Sequence, residues 1–264
     1  MKDANLPLGR ETDYPHKYAP EVLCPVPRTG DRSRFAGVDI WNAWDLTWLA
    51  PGGLPRVATA EIRVPAESPA IVESKSLKLY LGSFAMSEFA SVDDVAGRIA
   101  KDLSACAGAS VGVRISPVTD TEALCVARLA GDCIDNLEIT CTDTEVNPSL
   151  LCADDAAIVT EDLHSHVLRS LCPVTNQPDI GSVQISYRGP RIDRAGLLRY
   201  IVSFREHNDF HEACVERMYA DILERCGPQT LTVHARYQRR GGIDINPVRT
   251  NTGEAARNLR IWRQ

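Results

Sequence analysis

The chain has 264 residues, of which 44% are hydrophobic and 24% are charged, as is typical of a globular protein with one large or two medium-sized domains. Its net charge of −6 argues against a protein that coats nucleic acid, because contacts with many phosphates require an excess of basic residues. No apolar stretch approaches the length of a membrane span, and the polar N-terminus does not resemble a secretory signal. We therefore expect a cytoplasmic protein that contacts neither membranes nor nucleic acid directly.

The nine cysteines are an odd number, so they cannot all pair within one chain. No C-x-x-C pair and no Cys/His spacing typical of metal ligands is present, so we expect reduced thiols and no metal site. Most of these thiols should serve as small buried hydrophobic groups.

The predicted elements begin with an irregular N-terminal arm, residues 1–35, rich in Pro, Arg, Asp and Gly. A helix is predicted after the N-cap candidate Ser91, before Gly108, with an apolar stripe at Val92, Val95, Ile99 and Leu103. A weaker helix is predicted over residues 160–171, with Glu161 and Asp162 in its first turn, and a third from His211 to Gly227-Pro228. Strands are predicted at residues 110–115, 183–187 and 231–237.

An internal repeat indicates two copies of one structural unit. Leu77–Phe84 matches Leu197–Phe204, and each segment leads through a phenylalanine into a helix with an Arg-x-x-x-Asp step. Upstream, residues 54–64 parallel residues 177–187. We expect two strand–strand–helix–helix–strand–strand units, at residues 36–143 and 144–264.

The two copies differ in the polar residues they carry. Only the first contains Glu73-Ser74-Lys75-Ser76-Leu77-Lys78, and only the second contains Cys172 and Phe210-His211-Glu212. At the corresponding places the first copy has Leu49 and Phe89-Ala90-Ser91. This division predicts one site formed where the two copies meet.

Each of these sets has a chemical interpretation. A thiol such as Cys172 becomes a nucleophile when its thiolate is stabilised, and Asp179, beyond a Pro-containing turn, can serve as a proton donor. His211 can move a proton, and Glu212 can accept paired N–H donors such as those of a guanine-like edge. Lys75 and Lys78 share a helix face and could meet a phosphate.

The segment Arg239-Arg240-Gly241-Gly242 combines cations with a backbone that a phosphate can approach closely. No G-x-G-x-x-G motif is present, so a nicotinamide cofactor would have to be held in a non-Rossmann way. On the residues alone, each set also fits a structural role: a buried cysteine, a helix cap, a charged helix start or an Arg-Gly turn. The residues by themselves therefore predict only a duplicated α+β protein with a possible site between its halves.

The order of four motifs is more specific than any one of them. They are Glu73–Tyr80, Cys172–Asp179, Phe210–Glu212 and Arg239–Pro247. Together they resemble the NADPH-dependent 7-cyano-7-deazaguanine reductases, the nitrile reductases of queuosine biosynthesis, in their long two-copy form. The resemblance covers about residues 10–250, including Thr12-Asp13-Tyr14 and Gly37–Trp41. It implies tandem tunnelling-fold (T-fold) modules, each an antiparallel four-stranded sheet with two helices on one face, assembled as a homodimer.

The resemblance also implies a role for each motif. Cys172 is expected to add to the nitrile carbon and form a thioimide, Asp179 to protonate the nitrogen, and His211 to lie above the reacting centre. Two NADPH would then complete the reduction to 7-aminomethyl-7-deazaguanine, a precursor for insertion into tRNA. The residues expected to bind the substrate are Val72, Glu73, Ser74, His211 and Glu212. Those expected to bind NADPH are Ser74, Lys75, Arg240 and Gly241, with Lys78 and Arg239 as neighbours.

Three alternatives remain open at this point. The same nucleophile could hydrolyse a nitrile to an acid, with water in place of hydride. A pterin-forming, zinc-dependent cyclohydrolase shares the fold superfamily, although its Cys/His ligand set is missing from this sequence. A purine-binding or assembly module without catalysis would keep the fold but would not need the polar set of the second copy.

Overall fold

The computed structural model describes residues 13–120 and 125–264 and confirms the α+β class. Residues 1–12 of the predicted arm, including Thr12, lie outside the described residues. Within the described ranges, the strands are β1 (Pro25–Pro27), β2 (Ala36–Leu49), β3 (Pro55–Pro65), β4 (Ala70–Val72), β5 (Gly112–Pro117), β6 (Asp132–Cys133), β7 (Ala153–Leu171), β8 (Pro178–Ile192), β9 (Thr230–Tyr237) and β10 (Ile243–Thr250). The α-helices there are α1 (Ser74–Gly82), α2 (Val92–Ala107), α3 (Arg194–Ser203) and α4 (His211–Cys226).

Two compact units divide the chain, and neither is continuous in sequence. Of the described residues, the first comprises 13–30, 39–120 with Cys125, and Arg239–Asp244. The second comprises Asp31–Val38, Val126–Gln238 and Ile245–Gln264, so β2 and β10 contribute residues to both units. The boundary of the repeat between residues 143 and 144 stays a prediction.

The sheet of the second unit runs in the order β10-β9-β8-β7, with all three pairs antiparallel. Alternate residues of β8, Val183, Ile185 and Tyr187, are buried in a core that also includes apolar residues of α3 and α4. The two-residue strand β6 pairs in parallel with β7, so the sheet differs from the four antiparallel strands of the prediction by this short addition. β6 covers part of a strand edge that would otherwise expose unpaired backbone groups.

The prediction of a helix over residues 160–171 is wrong, because these residues form the second part of β7. Glu161 and Asp162, interpreted as a first helical turn, lie opposite Tyr187 and Ser186 of β8. The Glu161 carboxylate accepts a hydrogen bond from the Tyr187 hydroxyl at 2.8 Å. Cross-strand pairing along most of β7 therefore outweighs a local helix signal.

In the first unit, β5, β3 and β2 are successive neighbours, and β3 and β5 are antiparallel. A separate two-stranded antiparallel sheet joins β1 to β4, so part of the predicted arm is strand. Tyr18, from the same segment, packs edge-on against Tyr80, Phe84 and Phe89. These contacts join the described part of the arm to the core of the first unit.

The helices predicted from Ser91 and from His211 are confirmed as α2 and α4. The Ser91 hydroxyl accepts a hydrogen bond from the Asp94 N–H at 3.1 Å, as an N-cap should. Both helices end at a glycine with positive φ, 71° at Gly108 and 59° at Gly227, where a side chain with a Cβ would be strained. The three predicted strands overlap β5, β8 and β9. Within the described ranges, no helix has the length and apolar character needed to cross a membrane.

The repeat is visible as matching hydrogen bonds in the two units. The Tyr80 hydroxyl donates to Asp102 at 2.7 Å, and the Tyr200 hydroxyl donates to Asp221 at 2.6 Å. Each bond joins the first helix of a unit to the Asp of the Arg-x-x-x-Asp step on the second helix. These buried phenols explain why the sequence match includes both a tyrosine and an aspartate at corresponding positions.

The structure extends the repeat to a segment that sequence comparison missed. The 3₁₀ turns Pro20–Val22 and Pro148–Leu150 each precede a cysteine, Cys24 and Cys152. The carbonyl of each cysteine accepts a hydrogen bond at 2.9 Å from the N–H of the residue that caps the next α-helix. The described arm is therefore equivalent to the segment that precedes β7 in the second unit.

Candidate active site

Cys172 directly follows the last residue of β7, where the backbone is fixed on both sides. Leu171 donates its N–H to the His207 carbonyl at 2.8 Å and accepts from the Asp209 N–H at 3.1 Å. The N–H of Cys172 donates to the Gln177 carbonyl at 2.9 Å, which closes the turn before β8. The thiol is thus held in a defined place, and Cys172 is 4% exposed.

Asp179 lies beside this turn as the second residue of β8. It is paired with Ser170 across the hairpin, and Cys172 follows Ser170 by two residues, one residue beyond the end of β7. Residues two apart on a strand share a face, so Asp179 and Cys172 lie diagonally opposite on the same side. The predicted nucleophile and the predicted proton donor are therefore brought together by the hairpin itself.

His211 enters the same cluster from the start of α4. The backbone bonds of Leu171 to residues 207 and 209 place the first turn of α4 next to the end of β7. His211 Nε2 lies 3.6 Å from Asp179 Oδ1, close enough for an ion pair when the imidazole is protonated. This carboxylate–imidazole contact is an acid–base pair beside a thiol.

Glu212 is the second residue of α4 and is 3% exposed. A carboxylate in the first turn of a helix is stabilised by the backbone N–H groups at that end. The prediction placed Glu212 next to His211, and the structure puts both in the first turn of α4. Of the predicted substrate residues, these two lie in the second unit, and Val72, Glu73 and Ser74 lie in the first.

Tyr237 is a member of this cluster that sequence reasoning missed. Its ring lies edge-on to His211 with the centroids 4.2 Å apart, and the residue is 1% exposed. Burial raises the pKa of the Tyr237 hydroxyl well above its ordinary value, so the phenol stays protonated. In the sequence, Tyr237 ends a predicted strand two residues before Arg239–Gly242, and this position could have marked it as a site residue.

Three thiols outside this cluster, one half-buried and two buried, have raised pKa values. Burial raises the pKa of Cys106 and of Cys226 to about 11. Burial also raises the pKa of Cys214, on the inner side of α4. All nine cysteines lie in the described part of the chain, and none forms a disulfide. Only Cys172, Cys214 and Cys226 are buried, so the expectation that most of the nine thiols are small buried hydrophobic groups is wrong.

In the first unit, Glu73 is the N-cap of α1 and is 0% exposed. Its two carboxylate oxygens accept from the Lys75 and Ser76 N–H groups at 2.8 and 2.7 Å. Glutamate is not a usual N-cap residue, so its selection at this place is not explained by capping alone. Oε1 also accepts from the Ser74 hydroxyl at 3.4 Å, so a ligand N–H could bond to the second lone pair of Oε2.

The predicted cations of the first unit lie on α1 and on the turn before β10. Lys75 Nζ is 3.3 Å from the Tyr14 hydroxyl. Lys78 lies against Gly241, where an added Cβ would be 3.1 Å from Lys78 Cε. Gly241 has a φ of 64°, so both space and backbone conformation favour glycine there. The structure therefore joins the Lys-containing motif to the Arg-Gly motif.

The turn itself is held in place by β2. The Trp44 N–H donates to the Gly242 carbonyl at 2.9 Å, and Arg240 N–H donates to the Ile243 carbonyl at 2.8 Å. Asp244 accepts from the Asn42 amide at 2.8 Å. A turn fixed in this way presents its backbone and its arginines in a reproducible position.

The structure corrects which residue of the first copy corresponds to Cys172. Leu49 makes the same two backbone bonds to residues 87 and 89 that Leu171 makes to residues 207 and 209. Leu49 is therefore equivalent to Leu171, and Ala50, rather than Leu49, corresponds to Cys172. The error came from aligning side-chain types without knowing where the preceding strand ends.

Comparison with known proteins agrees with the four motifs. A family model described as "Nitrile reductase, 7-cyano-7-deazaguanine-reductase N-term" matches residues 14–115, and one described as "QueF-like protein" matches residues 178–256. A Burkholderia multivorans protein named NADPH-dependent 7-cyano-7-deazaguanine reductase is 54% identical over 95% of this chain and 95% of its own length. The chain belongs to this reductase family.

Two further 7-cyano-7-deazaguanine reductases show the same similarity. The Azoarcus relative is 52% identical over 93% of this chain and 90% of its own length. The Burkholderia vietnamiensis relative is 52% identical over the full length of both chains, 100% of each. The family resemblance inferred from the order of the motifs is therefore confirmed.

A solved structure, the apo form of an archaeosine synthase QueF-Like, aligns with 37% of this chain and 96% of its own. Its TM-score is 0.32 at 18% identity, which is too low to support a statement about the fold of this reductase.

Proposed function

We propose that this chain reduces the nitrile group of 7-cyano-7-deazaguanine to the primary amine of 7-aminomethyl-7-deazaguanine with two equivalents of NADPH. The observation that carries the proposal is the cluster of Cys172 with the Asp179–His211 pair in the second unit. A nitrile carbon is a weak electrophile, and a thiolate is the side chain best suited to attack it. The names of the relatives support both the substrate and the cofactor.

The first chemical step forms a bond between Cys172 Sγ and the nitrile carbon. One π bond of the nitrile breaks, and its electron pair goes to nitrogen, which takes a proton from Asp179. The product is a thioimide, whose C=N bond is open to reduction. His211, 3.6 Å from Asp179, can return a proton to the carboxylate or serve the amine nitrogen later.

The reaction cluster is buried, which protects the proposed thioimide from water. Cys172 and Asp179 are each 4% exposed, so little bulk water reaches the thioimide and competes as a nucleophile. Tyr237 packs edge-on against the imidazole and limits its rotation. The chain therefore positions the thiol and the proton donor and excludes water.

The substrate's guanine-like edge presents adjacent N–H donors, which carboxylates accept. Glu212 and Glu73 have this role in the proposal, and both are buried, at 3% and 0% exposure. Val72, also buried, and Ser74 are the other proposed substrate contacts. Glu73 caps α1, and two backbone N–H groups of the helix hold its carboxylate in one orientation. The carboxylate therefore does not have to change its orientation when a ligand binds.

The residues of the first unit fit the phosphate-bearing part of NADPH. The backbone at Gly241 lies close to Lys78, so that an added Cβ would be 3.1 Å from Lys78 Cε, and cationic Lys75 and Arg240 belong to the same unit. Ser74, Lys75, Arg240 and Gly241 would hold the cofactor, with Lys78 and Arg239 nearby. When bound, NADPH supplies the hydrides of the reduction.

Substitution of these cations separates cofactor binding from chemistry. Lys75→Ala or Arg240→Ala should raise the KM for NADPH by about tenfold, since each removes a charge-assisted contact, and leave the KM for the nitrile much less affected. Lys101→Ala, an exposed lysine on α2, is the matched control. An unchanged NADPH dependence in both test variants would remove these residues from the cofactor site.

The T-fold assignment, the homodimer and the cytoplasmic location belong to the same proposal. T-fold modules protect their sheet edges by assembly, so a second copy of this chain is the expected partner. Light scattering of the purified protein should give twice the chain mass of 29.0 kDa. A monomer under assay conditions would contradict this part of the proposal without affecting the reaction.

The stoichiometry of NADPH oxidation tests the reaction. With limiting 7-cyano-7-deazaguanine, two NADPH should be consumed for each primary amine formed. Nitrile hydrolysis at the same cysteine would leave the NADPH absorbance unchanged and yield an acid. That outcome would replace the reductase proposal with the hydrolase alternative.

A further inference from the structure

Three side chains that play no part in the proposed reaction meet on the edge of the second unit's sheet. Cys133 Sγ and a ring nitrogen from each of His164 and His166 all lie within 4.8 Å of one another. Cys133 is in β6, and its Cα partner in the parallel pairing with β7 is His164. His166 follows His164 by two residues on β7, and the imidazole centroids are 5.2 Å apart.

Each imidazole has a hydrogen-bond partner at its Nδ1. His164 Nδ1 is 3.1 Å from the Ala130 carbonyl oxygen, which can only accept, so this nitrogen carries the proton. The lone pair of His164 is therefore on Nε2. A backbone carbonyl on the far ring nitrogen is the arrangement that fixes the tautomer of a metal-binding histidine.

His166 is supported in the same manner by a serine. Its Nδ1 is 2.8 Å from Ser182 Oγ, and that hydroxyl accepts a hydrogen bond from Arg263 Nε at 3.0 Å. In the tautomer with the proton on Nδ1, the serine oxygen accepts from His166 through its further lone pair. Nε2 of His166 is then the nitrogen available to a ligand.

The segment that carries Cys133 is fastened to β7 independently of any ligand. Ile134 donates its N–H to the His164 carbonyl at 3.0 Å. Asp135 accepts from the Ser165 hydroxyl at 2.6 Å and from the His166 N–H at 2.8 Å. The three donors are therefore held in place before a ligand arrives, as a preformed site requires.

We propose that Cys133, His164 and His166 bind a Zn²⁺ ion in a site separate from the reaction cluster. One thiolate and two imidazoles are a ligand set that Zn²⁺ prefers, and a solvent molecule would complete the tetrahedron. His164 is 8% exposed and Cys133 is exposed, so the ion can enter from the Cys133 side. The bound ion would cross-link the segment around β6 to the middle of β7.

The sequence did not reveal this site because its ligands are far apart along the chain. The predicted helix over residues 160–171 would also have placed His164 and His166 on different faces. Only the strand conformation of β7 and the parallel pairing of β6 bring the donors together.

Zn²⁺ titration of the metal-stripped full chain, in competition with a chromophoric chelator, tests the proposal. The unsubstituted chain should bind one Zn²⁺, and Cys133→Ser should weaken that binding by at least about 100-fold. Cys141→Ser is the matched control, an exposed cysteine from the same inter-strand segment. Cys172→Ala is a second control, because the reactive thiol is another possible ligand. Both controls should bind as the unsubstituted chain does.

Co²⁺ substitution gives an independent readout. The unsubstituted chain should show a thiolate-to-Co²⁺ charge-transfer band that Cys133→Ser abolishes and His166→Gln weakens. Because Cys133 is exposed, its replacement by serine should leave the metal-free melting temperature unchanged, which controls for misfolding. Equal Zn²⁺ affinity in Cys133→Ser, or loss of binding in Cys172→Ala instead, would overturn the proposal.

Discussion

The turn after β2 in the first unit and the turn after β7 in the second begin at equivalent strand ends and carry different side chains. Ala50 follows Leu49, and Cys172 follows Leu171, with equivalent hydrogen bonds on both leucines. Ala50 N–H donates to the Leu54 carbonyl and Cys172 N–H donates to the Gln177 carbonyl, both at 2.9 Å, so the second turn is one residue longer. The duplicated scaffold thus gives Ala50 and Cys172 equivalent places at the ends of their strands, and the proposed reactivity belongs to the side chain of Cys172.

In the first unit, the turn after β2 borders a cavity. A cavity of about 650 Å³ is lined by Ala50, Arg56, Phe89 and Val92, among others. β3 and β8 both begin at a proline, which makes Arg56 the counterpart of Asp179. This cavity therefore has an alanine and a cation where the second unit has a thiol and a carboxylate.

The largest expected effect comes from exchanging the residues at the two turns. Cys172→Ala should abolish turnover, because no other group can form the thioimide. Ala50→Cys in that background should not restore it, since Arg56 cannot serve as the proton donor. Steady-state NADPH oxidation with the nitrile is the measurement. Restored turnover in the double variant would show that position alone, without the acid–base pair, is sufficient.

Asp179→Asn tests the proton donor at the second residue of β8. The amide cannot supply a proton to the nitrile nitrogen, so kcat should fall by about 100-fold or more while the protein still binds substrate. Arg56→Ala, the matched change in the first unit, should leave turnover unaltered. A kcat in Asp179→Asn close to that of the unsubstituted enzyme would assign proton donation to His211.

The matched phenols compare stability rather than chemistry. Tyr80→Phe and Tyr200→Phe each remove one hydrogen bond to a carboxylate without leaving a large cavity. Each should lower the free energy of unfolding by about 2 kcal/mol, measured by denaturant titration. A large loss in only one variant would mean that the two units do not share this stabilising contact.

The smallest effect is expected at alkaline pH. Burial raises the pKa of Tyr187 from 10.0 to about 12 in the folded protein. Between those values the unfolded phenol has lost its proton and the folded one has not, so the free energy of unfolding falls as pH rises. Tyr187→Phe should reduce this slope, whereas Tyr14→Phe, at a residue that is 68% exposed, should not. An identical slope in Tyr187→Phe and the unsubstituted protein would contradict the assignment.

Features with strong local signals were predicted from the sequence. The N-cap Ser91 determines where α2 begins, and the glycines at 108 and 227 determine where α2 and α4 end; these residues act within one turn of chain. β7 was mistaken for a helix because its stability depends on pairing with β8 rather than on its own residues. Contacts of this range leave no periodic signal in a short window.

The candidate site shows the same distinction. Cys172, Asp179 and His211 were identified because they lie in motifs with a specific order. Tyr237 was missed because its role depends on a ring contact with His211, and Ala50 because its equivalence depends on backbone register. Tertiary contacts of this kind are not encoded in spacing along the chain.

The central claim, that Cys172 is the nucleophile, is tested most directly by mass spectrometry of the protein with 7-cyano-7-deazaguanine and no NADPH. The intact mass should increase by the mass of the nitrile, peptide mapping should place the adduct on Cys172, and Cys172→Ala should show none. An adduct on an exposed cysteine such as Cys141, or the same adduct in Cys172→Ala, would contradict the account.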